Sequence, residues 1–423
     1  MGLIFLSIPE LEPTYLRFQQ FCPFKNKPAI KKYFGPSTLV AAAFIGPGTL
    51  TTCTLAGVQT GYGMLWVLLL ATGLTIFLQE MAARLGLVTQ AGLGEAVRTR
   101  FAGNAARWLV FGLIIGAILV GNAAYQAGNL AGGVLGLDLL IGPWRWWTLV
   151  LGAICFALLF YGKYRWVERL LIALVVTMSI CFLLTAVLVQ PDWGAVARGF
   201  VPQSPGEANW LLVLAVLGTT VVPYNLFLHA ATVSKKWKPG TSLTDLRREN
   251  AVSILLGGLI SVLIVVTAAG SRGAVTEVTS AADLAAQLRP VFGGAAGGLM
   301  GVGLLAAGIS SALTAPLAAA YAARGLFGWG TGERSLRFRA VWMAVLAVGV
   351  LVGTLGLKPV PVIKFAQVTN ALLLPLIAGF LVYLCNSDAL LGRFVNGRAR
   401  NALAVAVLLA LLGLAGRTFF LLL

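Results

Sequence analysis

Charged residues are scarce in this 423-residue sequence. Asp, Glu, Lys and Arg make up 11% of the chain, whereas hydrophobic residues make up 59%. Soluble globular domains carry about 25% charged residues, so this composition excludes an ordinary soluble protein. Mean hydropathy is +0.89, and apolar runs of about 20 residues, the length that crosses a bilayer, recur along the chain. The sequence therefore predicts an all-α integral membrane protein.

Side chains that build metal clusters and catalytic sites are also rare. The sequence contains one histidine and five cysteines, and the cysteines are scattered without a Cys-x-x-Cys pair. This pattern argues against a zinc site and against a disulfide scaffold. The sequence has no nucleotide-binding loop and no Ser-His-Asp set. We therefore predict neither an enzyme nor a bound cofactor.

Eleven apolar runs are predicted to cross the membrane. Spans one to eleven cover 36–60, 63–83, 107–133, 146–162, 168–190, 208–231, 251–270, 294–323, 340–357, 361–384 and 401–421. Most of the 31 Lys and Arg residues lie in segments that are cytoplasmic if the N-terminal segment 1–35 is cytoplasmic. The positive-inside rule then predicts a multi-pass protein of the plasma (inner) membrane with its C-terminus outside. The basic excess thus indicates topology in a lipid bilayer and not nucleic-acid binding.

Two predicted spans contain a proline near the middle of the membrane. Span one reads Gly46-Pro47-Gly48-Thr49, and span six reads Val222-Pro223-Tyr224-Asn225. Proline removes a backbone N–H and disrupts a helix, and hydrocarbon tolerates the exposed polar backbone only where it lines a cavity. The two prolines therefore predict broken helices around a midplane site. For either break alone, the alternative is a simple kink in which Thr49 or Asn225 acts as an N-cap.

The spacing of the two breaks predicts an internal repeat. They lie five spans apart, an arrangement typical of transporters built from two inverted five-helix repeats. The predicted repeats are 36–190 and 208–384, and 401–421 is an extra helix.

Several stretches carry a resemblance to a known family. They are Gly46-Pro47-Gly48-Thr49, residues 79–89, residues 223–229, residues 304–308 with Ser310-Ser311, and residues 367–370 with Pro375. Together they resemble the Nramp family of metal-ion transporters, from about Pro36 to the end of the chain. The resemblance implies the leucine-transporter-like fold of the APC superfamily and ion transport by alternating access.

The family's metal-binding residues are mostly replaced here. The resemblance implies a metal site formed by Asp-Pro-Gly-Asn in span one and Met-Pro-His-Asn in span six. In this site, Asp, Asn and Met side chains and a backbone carbonyl hold the ion. At the matching positions this chain has Gly46 for Asp, Thr49 for Asn, Val222 for Met and Tyr224 for His. Only Asn225 matches.

The acidic residues lead to the same expectation. In span three, where the resemblance implies an Asp and a Glu on a proton route, the chain has Gln126 and Asn129. Thirteen of the fourteen acidic residues, Glu249 among them, are assigned to tails, loops or span ends. The remaining one, Glu80, is explained by a helical i,i+4 pair with Arg84. A centre without carboxylates disfavours a dehydrated divalent ion, because stripping its water in a neutral site is very costly.

We therefore expect the central site to prefer a neutral, zwitterionic or anionic solute. In spans one and six, the helix segment after the break begins near Thr49 and Asn225, respectively. The N-terminal ends of these segments carry partial positive charge, which suits such ligands. The expected substrate contacts come from the two breaks and the spans that face them. They are Gly46, Gly48, Thr49, Thr219, Val222, Tyr224, Asn225, Gln126 and Gln367. No metal ligand is assigned with certainty; if a metal binds, Thr49 and Asn225 are the expected contacts.

Asn129, His229 and Lys364 are candidates for coupling or access. His229 lies one turn beyond Asn225, where it either relays a proton or is an ordinary buried histidine, and no carboxylate partner is predicted for it. Lys364 lies one turn from Gln367, where it either attracts anions or extends to the outer interface.

Three functions remain open at this point. The first is a secondary transporter of a small neutral, zwitterionic or anionic solute. The second is a divalent metal cation transporter, for an ion such as manganese or magnesium, that binds a largely hydrated ion. The third is a receptor or scaffold that keeps the fold without transport. In each case a monomer is compatible with the sequence.

The predicted orientation can be tested with reporter fusions. Alkaline phosphatase fused after Leu423 should be active, because the positive-inside rule places the C-terminus outside. The same reporter fused after Lys238, in a predicted inner loop, should be inactive. Fluorescence from green fluorescent protein fused to the C-terminus would contradict this orientation.

Overall fold

The computed structural model describes residues 36–37, 45–162, 165–206, 209–238, 240–271, 277–330, 332 and 334–422. Within these residues every regular element is a helix, which confirms the all-α prediction for the described part of the chain. The helices are α1 (Pro47–Thr60), α2 (Leu65–Thr89), α3 (Leu93–Arg100), α4 (Arg107–Ile141), α5 (Trp147–Tyr161), α6 (Arg165–Leu188), α7 (Trp193–Gly199), α8 (Trp210–Thr220), α9 (Pro223–Lys236), α10 (Leu243–Gly270), α11 (Ala281–Ala286), α12 (Arg289–Phe292), α13 (Ala296–Phe327), α14 (Leu336–Thr354), α15 (Pro359–Cys385), α16 (Asp388–Leu391) and α17 (Arg398–Leu422).

Nine helical segments of the described chain are long and apolar enough to cross a membrane. They are α2, α4, α6, α8 together with α9, α10, α12 together with α13, α14, α15 and α17. Helix α5, at 15 residues, is shorter. Helix α1 forms the second part of predicted span one, and residues 38–44 of that span fall outside the described residues. The multi-pass membrane architecture is thus confirmed, while the count of eleven and the repeat stay predictions.

The structure extends several helices beyond the predicted spans. Helix α4 continues to Ile141, and α10 begins at Leu243 instead of 251. At the start of α10, the Ser242 side chain accepts a hydrogen bond from the Thr244 N–H, as an N-cap does. Hydropathy missed this first part of the helix because its charged residues lower the window average, although they are compatible with helical backbone.

Helices α4 and α13 pack with their backbones in contact. A Cβ atom placed on Gly136 would lie 2.6 Å from the Gly301 carbonyl oxygen, and one on Gly308 would lie 2.7 Å from the Gly133 Cα. Small residues allow membrane helices to approach this closely. A further glycine of α4, Gly132, faces Pro47: its Cβ would lie 2.0 Å from the Pro47 Cβ. Helix α4 therefore fixes both α13 and the start of α1.

The α4–α13 contact predicts a position-specific effect on stability. Gly136→Ala should destabilise the protein by about 1–3 kcal/mol, because its new methyl group meets rigid backbone. Gly116→Ala on the same helix is the matched control, since no atom lies within 4 Å of its added Cβ. Thermal unfolding in detergent measures both variants, and equal melting temperatures would contradict the inferred backbone contact.

Candidate substrate site

The break in span six lies where the sequence predicted it, and α1 starts at the proline predicted for the break in span one. Helix α8 ends at Thr220 and α9 begins at Pro223, so span six is interrupted. Helix α1 begins at Pro47, and Gly46 before it has extended backbone angles of φ −110° and ψ −175°. Proline suits the first helical position because the N–H that it lacks has no intrahelical partner there.

The capping alternative for these helices is wrong. The N-caps are Gly46 for α1 and Val222 for α9, and neither makes a side-chain capping hydrogen bond. Thr49 and Asn225 are instead the third residues of their helices. The N-terminal end of a helix carries partial positive charge, so the starts of α1 and α9 both contribute positive potential.

Gln367 lies between the two interrupted spans. A Cβ on Gly48 would lie 2.2 Å from the Gln367 Nε2, and one on Gly218 would lie 1.9 Å from its backbone oxygen. Beside it, the Thr49 and Thr219 hydroxyls form a hydrogen bond of 2.8 Å that joins α1 to α8. All five positions are buried. The structure thus brings four predicted site residues together, namely Gly48, Thr49, Thr219 and Gln367. The close contacts of Gln367 depend on the lack of a side chain at Gly48 and Gly218.

Aromatic rings and a serine surround Gly46, the position of the family's aspartate. A Cβ on Gly46 would lie 2.8 Å from the Ser311 Oγ and 3.8 Å from the Tyr125 hydroxyl. The Tyr125 and Tyr224 rings meet edge to face with centroids 5.5 Å apart. A side chain at Gly46 therefore requires Ser311 to move.

Tyr125 and Ser311 were not among the predicted site residues. Tyr125 immediately precedes Gln126 on α4. Because successive side chains of a helix point about 100° apart, the sequence indicated that one of the two faces the break. Gln126 was the residue predicted to face it. Ser311 belonged to a stretch that carried the family resemblance but was not assigned to the site.

Two amide side chains at the site have unused hydrogen-bonding capacity. Asn225 and Gln367 are each 1% exposed. Within the described residues, neither side-chain atom of Asn225 has a hydrogen-bond partner, and the Gln367 Oε1 has none either. Buried polar groups are nearly always satisfied in a functional state, so these atoms mark where a polar ligand or water belongs. Val222, which is also buried, precedes the first residue of α9.

Gln126 contacts helices α13 and α14, and its membership of the substrate site stays a prediction. Its Nε2 donates a hydrogen bond to the Ala312 carbonyl of α13 at 3.2 Å, and its Cγ would be 2.5 Å from a Cβ on Gly349 of α14. Asn129, one turn further along α4, is 1% exposed. Gln126 thus lies against α13 and α14, whereas the hydroxyl of Tyr125, the residue before it, lies 3.8 Å from the position of a Cβ on Gly46.

Lys364 is half-buried on α15, one turn before Gln367. This position is compatible with both of its predicted roles. Its involvement in access stays a prediction.

His229 does have a carboxylate connected to it, contrary to the sequence interpretation. Its Nδ1 lies 2.9 Å from the Gln79 Oε1, and its Nε2 lies 3.0 Å from the Ser37 Oγ, both within hydrogen-bonding distance. Ser37 in turn donates to the two carboxylate oxygens of Glu249, with its hydroxyl to Oε2 and with its backbone N–H to Oε1 at 3.0 Å. His229, Ser37, Glu249 and Gln79 are all buried.

Glu249 was misplaced because helix α10 was predicted too short. With the span starting at 251, Glu249 counted as a loop residue, but in the structure it lies in the second turn of α10 and is 1% exposed. Its contact with Ser37, at the start of span one, requires tertiary packing that no local pattern indicates. The resulting chain of hydrogen bonds connects the start of span one with α2, α9 and α10.

Comparison with known proteins places the chain among membrane transporters. A family model described as "Natural resistance-associated macrophage protein-like" matches residues 37–421. The chain is 30% identical over 426 residues to the divalent metal cation transporter MntH of Nostoc sp., covering 96% of this chain and 94% of that protein. It is 29% identical to MntH of Deinococcus radiodurans, covering 92% and 89%.

Solved structures share the fold. A crystal structure of a mutant of the Eremococcus coleocola manganese transporter superposes with a TM-score of 0.72 at 21% identity, covering 94% of this chain and 96% of that one. A closed structure of Mhp1, a nucleobase-cation-symport-1 family transporter, superposes with a TM-score of 0.56 at 18% identity, covering 82% and 77%. Both likenesses concern the backbone arrangement.

The connection through Ser37 predicts a loss of stability when its hydroxyl is removed. Ser37→Ala should destabilise the protein by about 1–3 kcal/mol, because it leaves buried partners on His229 and Glu249 without the hydroxyl. Thr232→Ala on α9 is the control, since that hydroxyl donates to the Leu228 carbonyl of its own helix. The measurement is thermal unfolding in detergent; a Ser37→Ala protein as stable as the control would show that the connection contributes little.

Proposed function

Because the chain belongs to the Nramp family of membrane transporters, we propose that it moves a small solute or ion by alternating access between two inverted repeats, 36–190 and 208–384. The proposed arrangement has eleven spans, of which 401–421 is the extra helix. It lies in the plasma (inner) membrane with the N-terminus cytoplasmic. The interruptions at Pro47 and Pro223 support it, because they occur five spans apart. The matched relatives are named transporters, in keeping with the expectation that the protein is not an enzyme.

We propose a divalent metal cation as the first candidate substrate. Relatives that match nearly the whole chain are named divalent metal cation transporters, and this weighs more than the sequence-based preference for a neutral, zwitterionic or anionic solute. An ion of the manganese or magnesium type is proposed, and it is bound with most of its hydration shell in place.

The single observation that carries this proposal is Asn225. It is the one residue that matches the family's metal-binding pattern, and both its side-chain amide atoms are buried without a partner in the described part of the chain. Its Oδ1, together with the Gln367 Oε1, accepts hydrogen bonds from the water molecules of a hydrated ion. Magnesium gives up its water reluctantly and commonly keeps several water ligands in protein sites.

The donor set explains why the ion keeps its water. The side chains at the breaks are hydroxyls and amides, among them Thr49, Thr219 and Gln367, and no group of three or more His, Cys, Asp or Glu residues that could hold a metal occurs among the described residues. Neutral oxygens do not offset the cost of removing the hydration shell of a dication. They fit a hydrated ion by hydrogen bonding.

A neutral, zwitterionic or anionic solute is the second candidate. It is favoured by the uncapped N-termini of α1 and α9, whose positive ends suit an anionic group. The neighbours of Gly46 also favour it, since Ser311 and Tyr125 occupy the space where a carboxylate would start. A receptor or scaffold without transport is the third possibility.

Alternating access also needs an end that closes. We propose that the hydrogen bonds that join Ser37 to Glu249 and, at its Oγ, to His229 hold the start of span one against α9 and α10 when that end is shut. Opening there must break these bonds, and a ligand shifts such an equilibrium only through its different affinity for the two states. Asn129, His229 and Lys364 stay candidates for coupling.

Transport and binding assays on purified protein separate the candidates. Proteoliposomes should take up manganese or magnesium, and Asn225→Ala should reduce uptake by about tenfold or more, because a buried hydrogen-bond partner of the bound ion is lost. Asn386→Ala is the control, because this asparagine is exposed at the end of α15.

The other outcomes identify the remaining candidates. Stabilisation by an amino acid or organic anion in a thermal-shift screen, without metal uptake, would replace the metal proposal with the second candidate. The absence of uptake and of stabilisation across metals and a broad solute library would favour the receptor or scaffold.

A further inference from the structure

Five arginine side chains converge on one pocket at an end of the helical bundle. The pocket has a volume of about 370 Å³. It is formed by the C-terminal part of α2, the start of α10, the loop between α16 and α17, and the start of α17. The arginines that line it are Arg84, Arg247, Arg393, Arg398 and Arg400.

A single carboxylate balances these charges. Glu80 Oε1 lies 2.9 Å from the Arg247 Nε, 3.6 Å from the Arg84 Nε and 3.6 Å from the Arg400 Nη1. The predicted pair of Glu80 with Arg84 is thus confirmed, but it is part of a larger cluster. Among the described residues, Glu80 is the carboxylate that forms ion pairs with these arginines, so the cluster carries more positive than negative charge. The other acidic residues of the elements that form it, Asp245, Glu249 and Asp388, do not line it.

The wall of the pocket is held in place by buried hydrogen bonds. Arg84, 1% exposed, donates to the Phe394 carbonyl and to the Asn396 Oδ1. Asn396 in turn donates its backbone N–H to the Cys385 carbonyl at 3.0 Å. The loop that carries Arg393 is therefore fixed to α2 and α15, and a ligand does not have to order it.

The membrane topology rule does not explain this convergence. It requires basic residues on the inner side but not in one cavity. Arg334 and Arg337, for example, are exposed on another predicted inner segment and do not line the pocket. Arg393 and Arg398 line the pocket, are exposed and do not contact Glu80. Their guanidinium groups suit a ligand with several anionic oxygens, because a guanidinium presents paired donors to such groups.

We propose that this pocket binds a phosphoryl group. Arginine forks match phosphate oxygens bidentately, and basic pockets between membrane helices on the cytoplasmic side bind the head groups of anionic lipids. The pocket combines the arginines with apolar lining from Leu243, Phe394 and Val395, which suits the glycerol end of a phospholipid. The phosphoryl group comes either from such a lipid or from free phosphate.

Thermal unfolding of the full-length protein in detergent tests the proposal. The probes are mixed micelles of phosphatidylglycerol, micelles of phosphatidylcholine, and inorganic phosphate in lipid-free detergent. In the wild-type protein, phosphatidylglycerol should raise the melting temperature in a concentration-dependent way, whereas phosphatidylcholine should not.

Two pairs of substitutions localise the effect. Arg393→Gln with Arg398→Gln should weaken the apparent affinity for the anionic probe by about tenfold or more, since two charge-assisted hydrogen-bond donors are lost. Both arginines are exposed and neither contacts Glu80, so the melting temperature without a probe should stay close to the wild-type value. Arg334→Gln with Arg337→Gln is the matched control and should respond as the wild type does.

The results assign the source of the phosphoryl group. Stabilisation by phosphatidylglycerol alone identifies a lipid head group, and stabilisation by inorganic phosphate as well identifies free phosphate as a sufficient ligand. Stabilisation by neither, or an unchanged response of the Arg393→Gln and Arg398→Gln protein, would overturn the proposal. Metal uptake is not part of this test, so its outcome is independent of the proposed transport function.

Discussion

Polar backbone cannot be left unsatisfied inside a membrane, and the interrupted helices of this protein depend on how that constraint is met. At Pro47 and Pro223 the helical hydrogen-bond pattern starts anew, so polar groups meet in the interior. They are enclosed by helices that approach at glycines and are joined by the Thr49–Thr219 hydrogen bond. The close packing of α4 on α13 keeps this centre away from lipid.

Charge is distributed very unevenly along this architecture. The centre contains hydroxyls, amides and helix ends, whereas one end of the bundle gathers five arginines around Glu80. Between them lies the buried Glu249, which Ser37 connects to His229. The centre and this end of the bundle therefore differ in charge, and contacts with neutral dipoles are weaker than contacts between opposite charges at low dielectric.

The sequence predicted the fold and the breaks because both depend on local patterns. Hydropathy located the membrane helices, and proline next to small residues located the interruptions. The pair of Glu80 and Arg84 followed from helical spacing. Three features depend on tertiary packing and were therefore missed: Tyr125 and Ser311 lie next to Gly46, Ser37 connects His229 to Glu249, and three arginines share one carboxylate oxygen.

Gln367 contacts two glycines, Gly48 and Gly218, and these contacts limit which side chains related sequences can have at the two positions. Its side chain touches the position of a Cβ on Gly48, and its carbonyl that of a Cβ on Gly218, so a hydrogen atom is the largest substituent that both sites admit in this arrangement. Alanine at position 48 meets only the end of the flexible Gln367 side chain, whereas alanine at position 218 meets the backbone of α15. A homologous sequence with alanine at position 218 therefore cannot keep α15 at the same distance from α8, and this position in an alignment would distinguish members of the family with closer helices from members with more widely spaced ones.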